Sequence, residues 1–250
     1  MVMAVEGSIG AGKSTLATTL GAINQQPVVP ETVNNMFLQH FYGDPTKYGF
    51  PFQLYMLVDR LAKALMSTEH TVQDRSLLGD YVFAQAARQM GNIDADQFAI
   101  YQNILQSSAP TTVHTVVYIH STTATCMANI VQRGRVSEQN ITVDYLALLD
   151  QIYFETLMLW VGGSAEIQPL LGPPPRLVVV DACQAYPDAD KVQTQLKSGN
   201  FPTVAFIART TPPADTTSLY LPWQPHLPDS RARALTALAN GRALVFVRCT

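Results

Sequence analysis

Eight consecutive residues, Gly7-Ser8-Ile9-Gly10-Ala11-Gly12-Lys13-Ser14, fit the pattern G-x-x-x-x-G-K-[ST] without a mismatch. That pattern is built to hold phosphate. Its glycines let successive backbone N–H groups turn inward around an anion, and a helix that follows points its positive end at the same spot. In such a loop Lys13 reaches the terminal phosphates and Ser14 holds Mg²⁺, so residues 7–15, ending at Thr15, are the expected phosphate-binding set. Other charged residues cluster where short apolar runs stop. Glu31 follows the run at 26–30, Asp74-Arg75-Ser76 follows 71–73, and Asp181 follows 177–180. Farther along, Arg133-Gly134-Arg135 with Glu138 packs two cations and an acid into a few loop-like residues.

The elements that must position these groups alternate strand with helix. Residues 2–5 form a short apolar run suited to a buried strand, and 15–23 read as a helix, so strand, loop and helix come in the order the motif requires. Further strands are expected at 26–30, 71–73, 113–119 and 177–180, with helices at 32–42, 50–69, 77–90, 94–106, 123–132, 143–160 and 189–198. Residues 43–45 read as a turn and 162–175 as a Gly/Pro-rich loop. On the long helix Gln53, Met56 and Arg60 recur at i, i+3 and i+7 and share a face. The helix at 143–160 is apolar nearly all round, which requires burial on two sides and suggests a subunit interface as well as a core. Such alternation predicts an α/β fold with a five-stranded parallel sheet covered by helices on both faces, its ligands at the carboxyl ends of the strands.

The tail from residue 200 differs in texture. A strand at 203–208, a proline-rich stretch, a helix at 230–240 and a strand at 243–248 make a strand–helix–strand extension, expected to cover a sheet edge. The expected division is a core at 1–199 and an extension at 200–250 packing on it.

Composition narrows the partners. Of 250 residues 47% are hydrophobic and the net charge is −3, with no run of Lys or Arg, so neither nucleic acid nor an acidic membrane surface is implied and the phosphate belongs to a small molecule. Three cysteines, Cys126, Cys183 and Cys249, form no C-x-x-C pair and fit a reducing compartment. With no membrane-length apolar run and the first strand beginning at Val2, a soluble cytoplasmic protein is expected. The five histidines show no metal-ligand spacing.

Taken together, Glu6-Gly7 leading into the loop, Val29-Pro30-Glu31, Phe52-Gln53, Asp74-Arg75-Ser76 with Asp80 and Phe83, and Arg133-Gly134-Arg135 with Glu138 resemble the deoxynucleoside kinase family over roughly the first two hundred residues. The resemblance implies a P-loop kinase that transfers the γ-phosphate of ATP, or of another nucleoside triphosphate, with Mg²⁺, to the 5′-hydroxyl of a deoxynucleoside. It implies Glu31 as the base at that hydroxyl, with Arg75 holding both. Lys13, Arg133 and Arg135 would stabilise the transferring group. Ser14 and Asp74 become the metal residues; relatives usually carry Glu at the latter position, which implies a bridging water. Tyr42 and Glu138 would bind the 3′-hydroxyl, Gln53 would pair with the base edge, Phe83 would stack on the base, and Met56 would line the pocket. Arg60 and Asp80 match an Arg/Asp pair of deoxycytidine and deoxyguanosine kinases, which implies deoxycytidine or purine deoxynucleosides over thymidine. A homodimer through the helices at 143–160 and 77–90 is also implied.

Three positions depart from the pattern. Asn129 replaces an arginine that stacks on the donor adenine, implying a loosely held donor base or a donor range beyond ATP; Met36 replaces a tryptophan and Thr32 a proline. The alternatives within enzymes are a thymidine kinase or a nucleoside monophosphate kinase such as thymidylate kinase, and outside enzymes a nucleotide-binding regulatory subunit. A monophosphate kinase needs further cations for its acceptor, and a regulator would have no call for the full set Lys13, Glu31, Arg75, Arg133 and Arg135.

Overall fold

A computed structural model of the chain describes residues 1–32, 35–67, 70–108, 112–182, 189–197, 204–207 and 244–247. In chain order the elements are β1 (Val2–Gly7), α1 (Lys13–Asn24), β2 (Val28–Val29), α2 (Asn35–Gly43), α3 (Pro45–Met66), β3 (Thr71–Asp74), α4 (Leu77–Gln89) and α5 (Ala95–Ser107). They continue with β4 (Thr115–His120), α6 (Thr123–Arg133), a single 3₁₀ turn (Val136–Glu138), α7 (Val143–Val161), α8 (Gln168–Leu171), β5 (Arg176–Asp181), α9 (Ala189–Lys197), β6 (Val204–Ile207) and β7 (Leu244–Val247).

The strands run parallel in the order β2-β3-β1-β4-β5-β6-β7, so β1 lies inside the sheet, between β3 and β4. Every residue of β1 is buried. Burial on both faces is why these strands read as unbroken apolar runs. Alternate residues serve opposite cores: Ala4, Val116, Tyr118, Leu177 and Val179 pack with α4, α5 and α7. Their neighbours Met3, Val5, Val117, Ile119, Val178 and Val180 pack with α1 and α6. The chain leaves β1 toward β2 and β3 on one side and continues to β4 and β5 on the other, so the order reverses at β1, where such sheets open a crevice at their carboxyl edge. The pairing of Val5 with Asp74, Gly7 with Ile119 and His120 with Asp181 brings the phosphate loop, Asp74 and the end of β5 to that one edge.

The five strands expected of the core are all present in one parallel sheet. The two strands expected in the tail are present too, and β6 pairs with β5 and β7 with β6, so they lengthen the same sheet. The expected helix at 230–240, the proline-rich stretch, Cys183 and Cys249 lie outside the described residues.

Several boundaries differ from expectation for physical reasons. Helix α3 starts at Pro45, with Asp44 as its cap accepting from the Lys47 N–H at 3.0 Å, so the Asp44-Pro45 pair is a helix start where a turn was expected. Pro51 then falls inside α3, and burial of Phe52, Met56 and Leu57 just beyond it offsets the missing N–H. Helix α6 continues through Arg133 and closes at Gly134 in the left-handed conformation, φ 65°. Within the stretch expected to be loop, Gln168–Leu171 makes the short α8, anchored by buried Leu170 and Leu171. Helix α7 is buried on two sides by one chain: Leu146 enters the core beneath α1 and α6, while Leu149, Ile152, Phe154, Leu157 and Trp160 enter the other. Two cores of one chain thus take up most of its apolar surface, while Val143 and Leu159 stay exposed. No helix among the described residues is long and apolar enough to cross a membrane.

Candidate active site

The loop between β1 and α1 is shaped by three glycines with positive φ, Gly7 at 147°, Gly10 at 80° and Gly12 at 93°, the last ending the loop as the cap of α1. A Cβ on Gly7 would lie 2.8 Å from the Ile119 carbonyl oxygen, so the loop can run this close to β4 only with hydrogen there. Lys13 folds back over the loop and donates to the Ser8 carbonyl at 2.7 Å. Burial, reinforced by Arg75, lowers its pKa to about 7 against the opposing pull of Glu31, Asp74 and Glu6. Asn129 of α6 donates to the Gly10 carbonyl at 2.7 Å and so ties that helix to the loop.

Beside the loop opens a cavity. Ile9, Gly10, Lys13 and Ser14 line it from the loop side, and Glu31, Tyr42, Gln53, Met56, Arg60, Arg75, Asp80, Phe83, Arg133, Arg135 and Glu138 line the rest. Of the twenty-one expected site residues, all but Gly7, Ser8, Ala11, Gly12, Thr15 and Asp74 thus meet at one space. The expected helical face holds, since Gln53, Met56 and Arg60 all reach the cavity from α3. Thr15 is exposed on α1. Asp74 is buried and lines a neighbouring space that it shares with Glu31, Arg60 and Arg75.

Charge in the cavity is organised around Glu31. Its Oε1 accepts from an amino group of Arg60 at 2.6 Å and its Oε2 from Nε of Arg75 at 3.1 Å. Burial pushes the carboxyl up, but Arg75, Arg60 and Lys13 outweigh it and hold Glu31 at about 2. Arg60 also donates from Nε to Asp80 at 3.2 Å, and the Tyr101 hydroxyl donates to the other Asp80 oxygen at 2.7 Å. Burial raises Asp80 to about 6, with Arg60 and Tyr101 opposing. Arg60 is therefore shared between the carboxylate at the phosphate side and the carboxylate deep in the pocket.

The other walls are equally specific. Gln53 is 2% exposed and its Oε1 has no hydrogen-bond partner among the described residues, an acceptor left for something in the cavity. Phe41 stacks on Phe52 at 5.0 Å, closing the apolar side, and the Arg75 guanidinium lies 4.9 Å from the centre of the Phe83 ring. Glu138 is gripped by Arg133 through three contacts of 2.8 to 3.1 Å and approached by Arg135 at 3.3 Å. Burial and the nearby Glu138 both raise the Tyr42 hydroxyl pKa, which keeps its proton on.

A divalent cation with its triphosphate fits the donor side on two counts. The glycine loop leaves its backbone open to anions, and Asp74 presents a buried Oδ1 without a partner among the described residues. Among the described residues no three His, Cys, Asp or Glu cluster into a metal site independent of such a ligand.

Sequence reasoning gave no role to Glu6, Tyr101, Tyr145 or Tyr153. Tyr145 lines the cavity, Tyr101 holds Asp80, and Glu6 with Tyr153 stands behind Arg75. Glu6 had a signal, an acid closing an otherwise apolar strand. The tyrosines had none, because at helical spacing they read as core.

Comparison with known proteins agrees with this geometry. The sequence model of the family described as deoxynucleoside kinase matches residues 3–182. Over 161 residues the chain is 32% identical to a deoxyadenosine kinase of Dictyostelium discoideum, covering 62% of this chain and 66% of that one. Over 168 residues it is 32% identical to a deoxyguanosine kinase of the same organism, covering 63% of this chain and 59% of that one. The match therefore spans somewhat less than two thirds of each of these relatives. The solved structure of deoxyadenosine kinase from M. mycoides with bound dCTP superposes with a TM-score of 0.66 at 26% identity, covering 79% of this chain and all of that one. With a family match running from β1 to the end of β5, and with the loop and cavity in place, the chain belongs to the deoxynucleoside kinase family.

Proposed function

We propose that this protein is a deoxynucleoside 5′-kinase that moves the γ-phosphoryl group of ATP, or of another nucleoside triphosphate, onto the 5′-hydroxyl of a deoxynucleoside. The observation that carries the reading is the shared cavity, in which Lys13 and Ser14 of the phosphate loop face the same space as Glu31 and the base-side residues Gln53, Arg60 and Asp80. In this reading the loop N–H groups and Lys13 bind the donor phosphates, and Ser14 and Asp74 are the residues that would hold Mg²⁺. The ion supplies neutralisation of phosphate charge when bound. Glu31, held ionised by Arg75 and Arg60, accepts the proton of the 5′-hydroxyl. A base this weak suits a reaction whose transition state is largely dissociative, since little proton transfer is then needed before the P–O bond to the donor breaks. Arg133 and Arg135 stabilise charge on the transferring group, while Glu138 with Tyr42 binds the 3′-hydroxyl.

The base pocket selects by satisfying polar groups. Asp80 accepts from an exocyclic amine, and Gln53 and Arg60 complete the edge, with Phe83 and Met56 against the ring. Cytosine, adenine and guanine carry such an amine, and thymine offers a carbonyl that leaves the carboxylate unsatisfied. A preference for deoxycytidine or purine deoxynucleosides over thymidine follows. Turnover of the four deoxynucleosides with ATP is the test, and thymidine as best substrate overturns the preference. Residues 1–199 form the kinase unit in this reading, and the extension that begins at 200 adds β6 and β7 beside β5. The protein works as a homodimer through α4 and α7, and light scattering that finds a monomer at micromolar concentration refutes that part.

A further inference from the structure

Arg75 adopts φ 68°, one of two non-glycine residues with positive φ among the described residues. Such a conformation is unfavourable for a residue with a Cβ and persists where surrounding contacts impose it. The Arg75 backbone N–H donates to the Val5 carbonyl at 3.0 Å, and its Nη1 donates to the Gly7 carbonyl at 2.9 Å and to the Tyr153 hydroxyl of α7. Behind Tyr153 lies Glu6, fully buried. Its Oε2 accepts from the Tyr153 hydroxyl at 3.1 Å. Its Oε1 accepts from the Ser76 N–H at 2.6 Å, the Ser76 hydroxyl at 2.7 Å and the Gly79 N–H at 3.3 Å. Among the described residues four donors and no acceptor bond to Glu6, a set that a carboxylate satisfies.

The order of donors gives the chain a direction. A tyrosine hydroxyl has one hydrogen, and when Glu6 takes it the lone pairs are left for Arg75. Burial raises the Tyr153 pKa well above its ordinary value, so the hydrogen stays in place. The packing admits little slack, because a Cβ on Gly79 would lie 2.9 Å from Glu6 Oε2 and 3.0 Å from the Tyr153 hydroxyl. Ser76 belongs to the same network, since its hydroxyl both donates to Glu6 and accepts from the Leu78 N–H at 3.2 Å as the cap of α4.

From this arrangement we infer that Glu6 and Tyr153 are positioning residues for phosphoryl transfer: Glu6 orients the Tyr153 O–H, and Tyr153 then holds the Arg75 guanidinium against Glu31 before substrate arrives. The inference rests on the role given to Arg75 under the proposed function. The experiment is a double-mutant cycle of Tyr153→Phe and Arg75→Lys on the full chain, with kcat and both KM values measured and melting followed by circular dichroism. Tyr153→Phe is expected to lower kcat about tenfold, the scale of one hydrogen bond to a charged group, and to change either KM less than about twofold. In the Arg75→Lys background the same change is expected to have little further effect. Glu6→Gln, nearly isosteric, provides a second route: its amide donates where the carboxylate accepted, turns the Tyr153 hydrogen toward Arg75, and should also lower kcat with KM held. If Arg75→Lys is impaired while both Tyr153→Phe and Glu6→Gln turn over at the wild-type rate, positioning is overturned and the role of Arg75 stands. An equal loss from Tyr153→Phe in both backgrounds also overturns it. Wild-type turnover of Arg75→Lys removes Arg75 from the mechanism and this inference with it.

Discussion

In the loop between β1 and α1 the groups offered to a ligand are mainly backbone N–H groups on consecutive residues, whereas the cavity beside it is lined by side chains from α2, α3, α4, α7 and the turn at Arg133–Glu138. The loop owes its shape to glycine φ values, and Lys13 closes it from five residues away. The cavity owes its shape to ion pairs that span the fold: Glu31 with Arg60 and Arg75, Arg60 with Asp80, Arg133 with Glu138. A backbone site binds what every triphosphate shares, and a side-chain site can distinguish one acceptor from another. Under the proposed function, that division suits a donor that is common and an acceptor that must be selected.

The contrast can be broken by substitutions on either side. The largest expected effect is at their junction: Glu31→Gln should lower kcat by roughly 10³-fold, within the range for a lost general base, while calorimetric titration finds deoxynucleoside affinity nearly intact. An unchanged rate would take Glu31 out of the mechanism. On the loop side, Lys13→Ala should lower kcat/KM for ATP by roughly 10²-fold or more, the scale of one charge-stabilising donor, and affect all four deoxynucleosides alike. A loss that depended on the base would show that the halves are not separable. On the cavity side, Gln53→Ala should raise KM for the preferred deoxynucleoside about tenfold and leave KM for ATP unchanged in steady-state assays, as expected for a lost hydrogen bond to an otherwise unpaired group.

The smallest effect is in pH, where the two sides should titrate in opposite directions. Lys13, at about 7, carries its charge below that pH and sheds it above, so kcat/KM for ATP should fall as pH rises past about 7. Asp80, at about 6, is ionised above that pH and protonated below, so kcat/KM for the deoxynucleoside should fall as pH drops past about 6. Profiles of kcat/KM measured separately for each substrate check both limbs. The linked effect of Lys13 on stability runs the other way from its effect on binding. Between about pH 7 and its ordinary 10.5 the unfolded chain holds a proton that the folded chain has released, so this group makes the fold more stable as pH rises through that window.

Much of the donor side was legible in the sequence because its parts are contiguous: residues 7–14, an apolar strand before them and a helix after. The parallel sheet was legible for a related reason, since strands buried on both faces are apolar at every position, as at 2–5 and 177–180. Glu31, Arg75, Arg60 and Asp80 were legible only as an ordered set of residue types. That Arg60 bridges Glu31 to Asp80, and that Tyr101 holds the second Asp80 oxygen, is a matter of which helices lie side by side. Helix α7 shows the limit most plainly. From its sequence, apolarity on two faces suggested a subunit interface as well as a core, and that one chain supplies two cores for it is decided by which elements pack against it.

The sequence by itself determined a phosphate loop, its strand and helix, the alternation that makes a parallel sheet, and the residue types available at the sheet's carboxyl edge. Local spacing and burial pattern are enough for those. Only the tertiary structure decided which charges neutralise one another, that Arg75 takes a left-handed conformation, and that Glu6 and Tyr153, 147 positions apart, meet behind it. A hydrogen bond between distant residues leaves no periodic trace along the chain, since it depends on side-chain direction and on the packing of α4 and α7 against β1.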